Sequence, residues 1–169
     1  MKKVFLILII TGLVATGYSQ QKVKFGHLNS NDLLDAMPDK AQAQKTLQDY
    51  SKQLEDQLVA MQEELEKKYN EYLEKKDTFT DLIKKNKEEE LTSLQQRIQT
   101  FQANAQQDLQ KKEQELLKPI IDKAKKAIED VSKENGYTYI FDTGTGSLLY
   151  YPKDADDILP LVKKKLGIK

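Results

Sequence analysis

Residues 47–73 read LQDYSKQLEDQLVAMQEELEKKYNEYL, and the spacing of their apolar and aromatic side chains decides the fold. These side chains recur in steps of three, four and four, and nearly every residue between them is Gln, Glu, Asp, Lys or Asn. They are Leu47, Tyr50, Leu54, Leu58, Met61, Leu65, Tyr69 and Tyr72. The pattern repeats every eleven residues, about 3.67 residues per turn, so the stripe runs nearly straight along an α-helix. A helix with so narrow an apolar stripe needs a partner against which to bury it.

A second apolar stripe further along the chain supplies that partner. Its members fall on one helical face and are Leu91, Leu94, Ile98, Phe101, Ala105, Leu109, Leu116, Ile120, Ala124, Ala127 and Val131. Residues 75–90 lie between the two stripes and contain neither Gly nor Pro, and we expect the chain to reverse within this range. Two stripes of matched length joined by a short link predict an antiparallel helical hairpin. Pro119 and the interruption of the stripe at Lys112 predict a kink and a weak point around residues 110–120.

Short elements flank the hairpin on both sides. Residues 22–29, KVKFGHLN, alternate in the manner of a strand, and Ser30 is expected to cap a short helical turn that Pro38 stops. Beyond Gly136, a good left-handed helix cap, YTYIFD alternates, TGTGS turns the chain and LLYY returns, which predicts a β-hairpin.

A short helix closes the chain. Asp156 is its predicted cap, and Pro160 falls in the first turn, where proline is tolerated.

These elements predict an α+β fold that is mostly α. The first residues, MKKVFLILIITGLVATGYSQ, combine two lysines, an apolar run and small residues at a cleavage position, so residues 1–19 are expected to be a signal peptide. A body is expected from residues 20–39, with a strand and a short helix, and from residues 135–169, with the β-hairpin and the last helix. Residues 40–134 form the helical arm.

The composition argues against an enzyme. The chain has no Cys, a single histidine, His27, and a single arginine, Arg97, so it has no nucleophile–base pair, no transition-metal cluster and no multi-arginine phosphate clamp. We interpret His27, on a strand beside Phe25, as structural. The glycines of TGTGS precede no helix that would receive a phosphate, and we interpret them as a strand turn.

No catalytic residue, cofactor site or metal site is expected. The formal net charge of zero gives no strong footprint for nucleic acid or an anionic membrane.

The body is too small to be stable alone. It has about 60 residues in two pieces, no disulfide and three short strands with exposed edges. We expect several chains to join their strands into one closed sheet. The residues expected at this interface are Phe25, Tyr139, Phe141, Leu148 and Leu149.

In its order of features the chain resembles the OmpH/Skp family of periplasmic chaperones. The features are a signal peptide, the opening KFGHLNSNDLLDAMP, two Gln/Lys/Glu-rich arms, ELLKPI at residues 115–120 and ENGYTYIFD at residues 134–142. The resemblance implies a homotrimer with a β-barrel body and three helical hairpin arms around a cavity. It implies a periplasmic, ATP-independent holdase that shelters unfolded outer-membrane proteins and does not stay inserted in a membrane.

One property departs from the family pattern. Well-studied members are strongly basic, whereas removing residues 1–19 leaves 25 basic and 27 acidic residues here, a net charge of −2. No lipopolysaccharide site is therefore carried over to this sequence.

If the resemblance holds, the apolar residues outside the arm seam are the candidate contacts with unfolded clients. They are Val59, Leu73, Phe79, Leu82 and Ile83, with Leu117 and Ile121 near the body. The alternative is a structural coiled-coil spacer or tether of the cell envelope, which needs no client affinity. Suppression of client aggregation separates the two.

Overall fold

The computed structural model describes residues 23–168, so the expected signal peptide lies outside the described residues. The elements in chain order are β1 (Phe25–Leu28), α1 (Ser30–Ala36), α2 (Pro38–Lys75), a 3-10 turn (Lys76–Thr78), α3 (Asp81–Glu134), β2 (Tyr139–Asp142) and α4 (Leu159–Leu166). Two long helices and a two-stranded sheet confirm the prediction of a mostly helical α+β fold. Within the described residues, no helix combines the length and apolar character needed to span a membrane.

The arm, α2 and α3, is an antiparallel helical hairpin. The chain reverses in the 3-10 turn and Phe79, and the Thr80 hydroxyl then caps α3 by accepting the Ile83 backbone N–H at 3.4 Å. Along α2 the 38 residues span about 57 Å at 1.5 Å per residue. The predicted seam faces the partner helix, and Met61, Leu94 and Ile98 are buried at its centre. α3 continues without interruption through Pro119, and the kink there stays a prediction.

The body consists of β1, α1, β2, α4 and the C-terminal end of α3. Its most deeply buried side chains come from separate segments and are Leu28, Leu33, Met37, Ile158 and Val162. The C-terminal end of α3 completes this core with Ile120, Ala124, Ala127 and Val131. No polar or charged side chain is buried among the described residues, so burial of apolar surface provides the stability of the core.

The sheet is parallel, and this corrects the predicted β-hairpin. β2 pairs with β1 in the register Phe25↔Tyr139 and His27↔Phe141, so the whole arm is the crossover between the two strands. Residues 148–151, expected to be the returning strand, belong to no strand. The reason lies at the end of β2, where the Asp142 carboxylate accepts N–H groups from Ser30 at 3.1 Å and Gly144 at 2.8 Å. These bonds tie the chain to α1 instead of returning it along β2.

The other edge of β1 is also bonded. The His27 N–H donates to the Asp156 carbonyl at 2.8 Å, and the Ile158 N–H donates to the His27 carbonyl at 2.9 Å. β1 is therefore the central strand, and β2 is bonded on one side only within the described residues.

Two predicted helix caps are wrong by one residue, while the proline signal in the last helix is confirmed. Asn29 caps α1 by accepting the N–H groups of residues 31 and 32, so Ser30 is the first residue of the helix. Asp157, not Asp156, accepts the Leu159 N–H at the start of α4, while Pro160 lies in the first turn as predicted.

The end of α3 is the Schellman arrangement that a glycine favours, which confirms the predicted cap. Gly136 has φ +70°, its N–H donates to the Lys133 carbonyl, and the Tyr137 N–H donates to the Ser132 carbonyl at 2.9 Å.

Candidate functional surfaces

The outward face of the two-stranded sheet is aromatic and exposed. Phe25 is 53% exposed, Tyr139 60% and Phe141 42%. The Phe25 ring lies 5.9 Å from the ring of Tyr139 and 5.9 Å from that of Phe141, measured between centroids. We call these three residues, with His27, the sheet face. Water-exposed contiguous aromatic patches of this kind mark interaction sites.

The alternation of the strands creates this face. Gly26, Leu28 and Ile140 point to the body core, so their neighbours in the chain must point outward. Because Gly26 has no side chain, the side chains of the body core can pack directly against the backbone of β1. A Cβ placed there would lie 2.9 Å from Ile140 Cδ1 and 3.0 Å from Ile158 Cγ2.

His27 belongs to the same face and is half-buried. Its ring centroid lies 4.6 Å from that of Tyr151. Within residues 23–168, no three His, Asp or Glu side chains gather as a metal site would require. The contact with the Tyr151 ring is consistent with the interpretation of His27 as a structural residue.

An apolar segment, residues 148–151, reaches the sheet face at Tyr151, whose ring lies beside that of His27. Leu149 is 97% exposed and Tyr150 81%, whereas Leu148 is half-buried. The backbone N–H groups of residues 148–151 donate no hydrogen bond within the described part of the chain. The segment therefore has both unpaired backbone donors and exposed apolar side chains.

The edge of β2 that faces away from β1 has backbone groups that could pair with the unpaired donors of residues 148–151. The N–H groups of Tyr139 and Thr143 donate to the carbonyls of Lys24 and Leu28. The backbone N–H and C=O groups of the odd-numbered residues of β2 therefore point to β1. The backbone N–H and C=O groups of the even-numbered residues, Ile140 and Asp142, point away from β1 to the free edge. An edge of this kind is a template for an additional strand.

The predicted client-contact residues are spread along the arm and form no single site. Five of them are exposed: Val59 (44%), Leu73 (42%), Leu82 (69%), Ile83 (42%) and Ile121 (36%). Phe79 at the reversal is half-buried, and Leu117 packs partly buried against the body core. Phe79, Leu82 and Ile83 lie close together in the chain at the reversal of the arm, and Leu117 and Ile121 lie one helical turn apart in α3.

Sequence reasoning missed that the seam itself is open in places. A groove of about 540 Å³ near the distal end of the arm is lined by Leu65, Tyr69, Tyr72 and Leu91, with polar residues at its rim. Tyr69 remains 51% exposed although it lies in the seam pattern. A second groove of about 480 Å³ is lined by Leu54, Leu58 and Phe101. The tyrosines in the stripe were the available signal, because tyrosine tolerates a partly wet position.

Polar contacts cross the arm beside these grooves. The Tyr50 hydroxyl donates to Asp108, and the Tyr72 hydroxyl donates to Glu88 at 2.5 Å. These bonds to carboxylates raise the pKa of both tyrosines. Both contacts lie at the solvent-exposed surface, so each contributes little to the stability of the arm.

Comparison with protein families gives one match over most of the chain. A family model described as "Outer membrane protein (OmpH-like)" matches residues 24–166. That range includes the whole arm and both pieces of the body. No curated protein matches the chain at a significant level.

Proposed function

The chain belongs to the OmpH-like family of outer membrane proteins, a chaperone family, and we propose that it is an ATP-independent holdase of the periplasm. In this proposal it binds unfolded outer-membrane proteins in a cavity between helical arms and prevents their aggregation. Residues 1–19 direct export, residues 20–39 and 135–169 assemble the body, and residues 40–134 hold the client.

The observation that carries this proposal is the exposed sheet face. Burying a ring of this size stabilises a protein by about 1.5–3 kcal/mol, and each chain exposes three. We propose that three chains bury these rings against one another in a homotrimer. The segment at Leu148 and Leu149 joins the interface, because its unpaired backbone donors match the free edge of β2 in a neighbouring chain.

Three chains joined at the body would project three arms on one side. A cavity lined by such arms suits a holdase, because the arm surface is polar and offers few apolar contacts. The proposed client contacts are Val59, Leu73, Leu82, Ile83 and Ile121, with smaller shares from the half-buried Phe79 and Leu117. Each contact is weak alone, so release needs no nucleotide.

The test is suppression of aggregation without nucleotide. A denatured outer-membrane β-barrel protein is diluted from urea, and its light scattering is followed with and without a threefold molar excess of the chain. We expect the scattering to fall to a small fraction of the control. The matched variant Val59→Ser/Ile121→Ser should suppress less well than Gln57→Ser/Lys125→Ser. An inert wild-type protein would favour the spacer or tether and overturn the holdase.

A further inference from the structure

The groove near the distal end of the arm has aromatic walls that remain open to solvent. It encloses about 540 Å³ between Leu65, Tyr69 and Tyr72 of α2 and Leu91 of α3, and we call it the tyrosine groove. Tyr69 is 51% exposed although it lies in the seam pattern. The groove follows α2 from residue 62 to residue 72, a rise of about 15 Å. It is therefore long enough to contact several residues of another chain.

The two helical segments that form the groove are acidic. Residues 62–72 carry four acids and two lysines, and residues 88–95 carry three acids and no base, so their joint net charge is −5. The formal net charge of the whole chain is zero. Glu66 of α2 and Glu88 of α3 line the groove itself, whereas no Lys or Arg of the described chain does. A cation in the groove therefore meets a carboxylate from each wall.

These two carboxylates are available to a ligand. Within residues 23–168, Glu66 forms no ion pair, and the Glu88 carboxylate accepts only the Tyr72 hydroxyl, through Oε1. The lysines of this region pair with other acids, in the pairs Lys68–Glu90, Lys85–Glu89 and Lys87–Glu90. The bond from Tyr72 holds one carboxylate beside an aromatic ring and leaves its second oxygen open.

Exposed tyrosine rings beside carboxylates match the chemistry of lysine and arginine side chains. These side chains carry an apolar stem that packs along a ring and a cationic head that a carboxylate or the face of a ring attracts. A purely apolar occupant would cover the two carboxylates without pairing them, which costs free energy. An acidic occupant would be repelled. The charge of the groove therefore favours a cationic chain over an apolar or acidic one.

We propose that the tyrosine groove binds segments of unfolded clients in which Lys or Arg adjoins an apolar or aromatic residue. The apolar side chain and the cationic stem lie against Tyr69 and Tyr72, and the cationic head reaches Glu66 or Glu88. This inference rests on the proposed holdase function and specifies the class of client segment that the arm selects. An exposed ion pair strengthens binding by about twofold to fivefold, so one groove binds weakly.

The test is the affinity of a short peptide, Leu-Lys-Tyr-Lys-Leu, for protein lacking residues 1–19. The peptide carries an uncharged fluorophore, binding is followed by fluorescence anisotropy at low salt, and two matched peptides have Gln or Glu in place of both lysines. We expect the lysine peptide to bind about fivefold more tightly than the glutamine peptide, and the glutamate peptide to bind most weakly. The preference should disappear at about 0.5 M salt, because the ion pairs are exposed.

Two double variants test whether the groove carboxylates cause the preference. Glu66→Gln/Glu88→Gln should make the lysine and glutamine peptides bind within twofold of each other. The control Glu63→Gln/Glu89→Gln removes the same charge from exposed positions of the same two helices outside the groove. It should change the preference less than twofold.

A second pair of variants tests the aromatic wall. Tyr69→Ser should weaken binding of the lysine peptide at least threefold, whereas Leu73→Ser, at an exposed apolar position outside the groove, should weaken it less than twofold. Circular dichroism verifies that the helices persist in all variants.

Three outcomes would overturn the proposal. The wild type binds the lysine peptide no better than the glutamine peptide, the control double variant loses the preference as fully as the groove variant, or Tyr69→Ser binds as the wild type does. Suppression of client aggregation by the wild type is measured separately. A protein that suppresses aggregation without preferring the lysine peptide contradicts the groove alone, and one that prefers the peptide without suppressing aggregation contradicts the holdase.

Discussion

At the scale of single residues, Gly26 determines whether the sheet face can form. Its hydrogen atoms lie against the side chains of Ile140, Ile158 and Tyr137, and a Cβ would approach all three to within 3.0 Å. The glycine therefore lets β1 lie close to the core while Phe25 and His27 point outward.

We predict that Gly26→Ala lowers the free energy of unfolding by about 1–3 kcal/mol, because three packed side chains must move to admit one methyl group. Urea denaturation followed by circular dichroism measures the change. Ser93→Ala, on an exposed position of α3, is the control and should stay within about 0.5 kcal/mol. A Gly26→Ala protein as stable as the control would show that β1 does not need the close approach.

Asp142 joins β2 to α1 and makes part of the stability depend on pH. Burial opposes its charge, but the hydrogen bonds from Ser30 and Gly144 outweigh burial and lower the pKa of its carboxyl. A carboxyl whose folded pKa is lowered stabilises the fold above the unfolded pKa of about 3.9, and this contribution is lost as the pH falls through the folded pKa.

The variant Asp142→Asn isolates that contribution because the amide does not titrate. We expect wild type to be the more stable protein at pH 7 and the difference between the two unfolding free energies to shrink between pH 5 and pH 3. Denaturation series at fixed ionic strength provide the measurement. A difference that stays constant down to pH 3 would contradict the lowered pKa.

Cap residues show what sequence can predict at this scale. Gly136 was predictable, because a left-handed position after a helix selects glycine strongly. Asn29 and Ser30 are adjacent and equally good caps, as are Asp156 and Asp157, so composition alone does not choose between them. Backbone hydrogen bonds to β1 decide the second case, since the Asp156 carbonyl is held by His27.

At the scale of elements, the arm has two well-packed regions with a weaker one between them. In α3 no side chain between Ile98 and Ile120 is buried, and in α2 none is buried between Ala43 and Met61. Ile120 belongs to the body core, and Leu116 and Leu117 pack partly buried against it. The weak region therefore begins nearer the middle of the arm than the 110–120 that Pro119 and Lys112 suggested.

We predict that backbone amides of residues 102–115 exchange with solvent faster than those of residues 92–98 and 120–131. The reason is that local opening there exposes little apolar surface. Hydrogen exchange followed by mass spectrometry on the assembled protein resolves these segments. Equal protection across all three would contradict the weak region.

The helices were predictable at this scale, and the strand pairing was not. An eleven-residue repeat over Leu47–Tyr72 specifies a helix and the face it buries, because the period is geometric. Alternation in YTYIFD specifies a strand but says nothing about its partner. The partner of β2 is β1, which lies more than a hundred residues earlier in the chain. The turn sequence TGTGS suggests a hairpin, but the hydrogen bonds to the Asp142 carboxylate direct the chain elsewhere.

At the scale of the whole molecule, the sequence alone predicts association, because the body is small and its strands are aromatic. The sequence predicts the residues of the candidate sites only in part. Phe25, Tyr139 and Phe141 do form one surface. The predicted client residues are those outside the arm seam, and one of them, Leu117, packs partly buried against the body core. A residue that lies outside the seam between the two arm helices can still be covered by another element, and the seam pattern does not show this.

We predict that native mass spectrometry of protein lacking residues 1–19, at micromolar concentration, shows three chains. Three exposed rings per chain are too much apolar surface for a stable monomer, and the free edge of β2 provides backbone pairing. Leu149→Ser should weaken the assembly, whereas Gln57→Ser on the arm should leave it intact. A dominant monomer of wild type would contradict assembly through the body.

The central claim is that holding depends on assembly, because a single arm offers only a few weak contacts. Joining three arms makes the later contacts intramolecular and strengthens binding by about a hundredfold or more. Phe141→Lys places a charge in the sheet face without touching the arm, and Leu73→Ser removes one exposed arm contact without touching the body.

The decisive measurement is the dissociation constant of a fluorescently labelled, unfolded outer-membrane protein for wild type and these two variants, with circular dichroism to verify that the helices persist. We predict that Phe141→Lys is monomeric and binds the client at least a hundredfold more weakly, and that Leu73→Ser loses only a few-fold. A verified Phe141→Lys monomer that binds as tightly as wild type would contradict the claim.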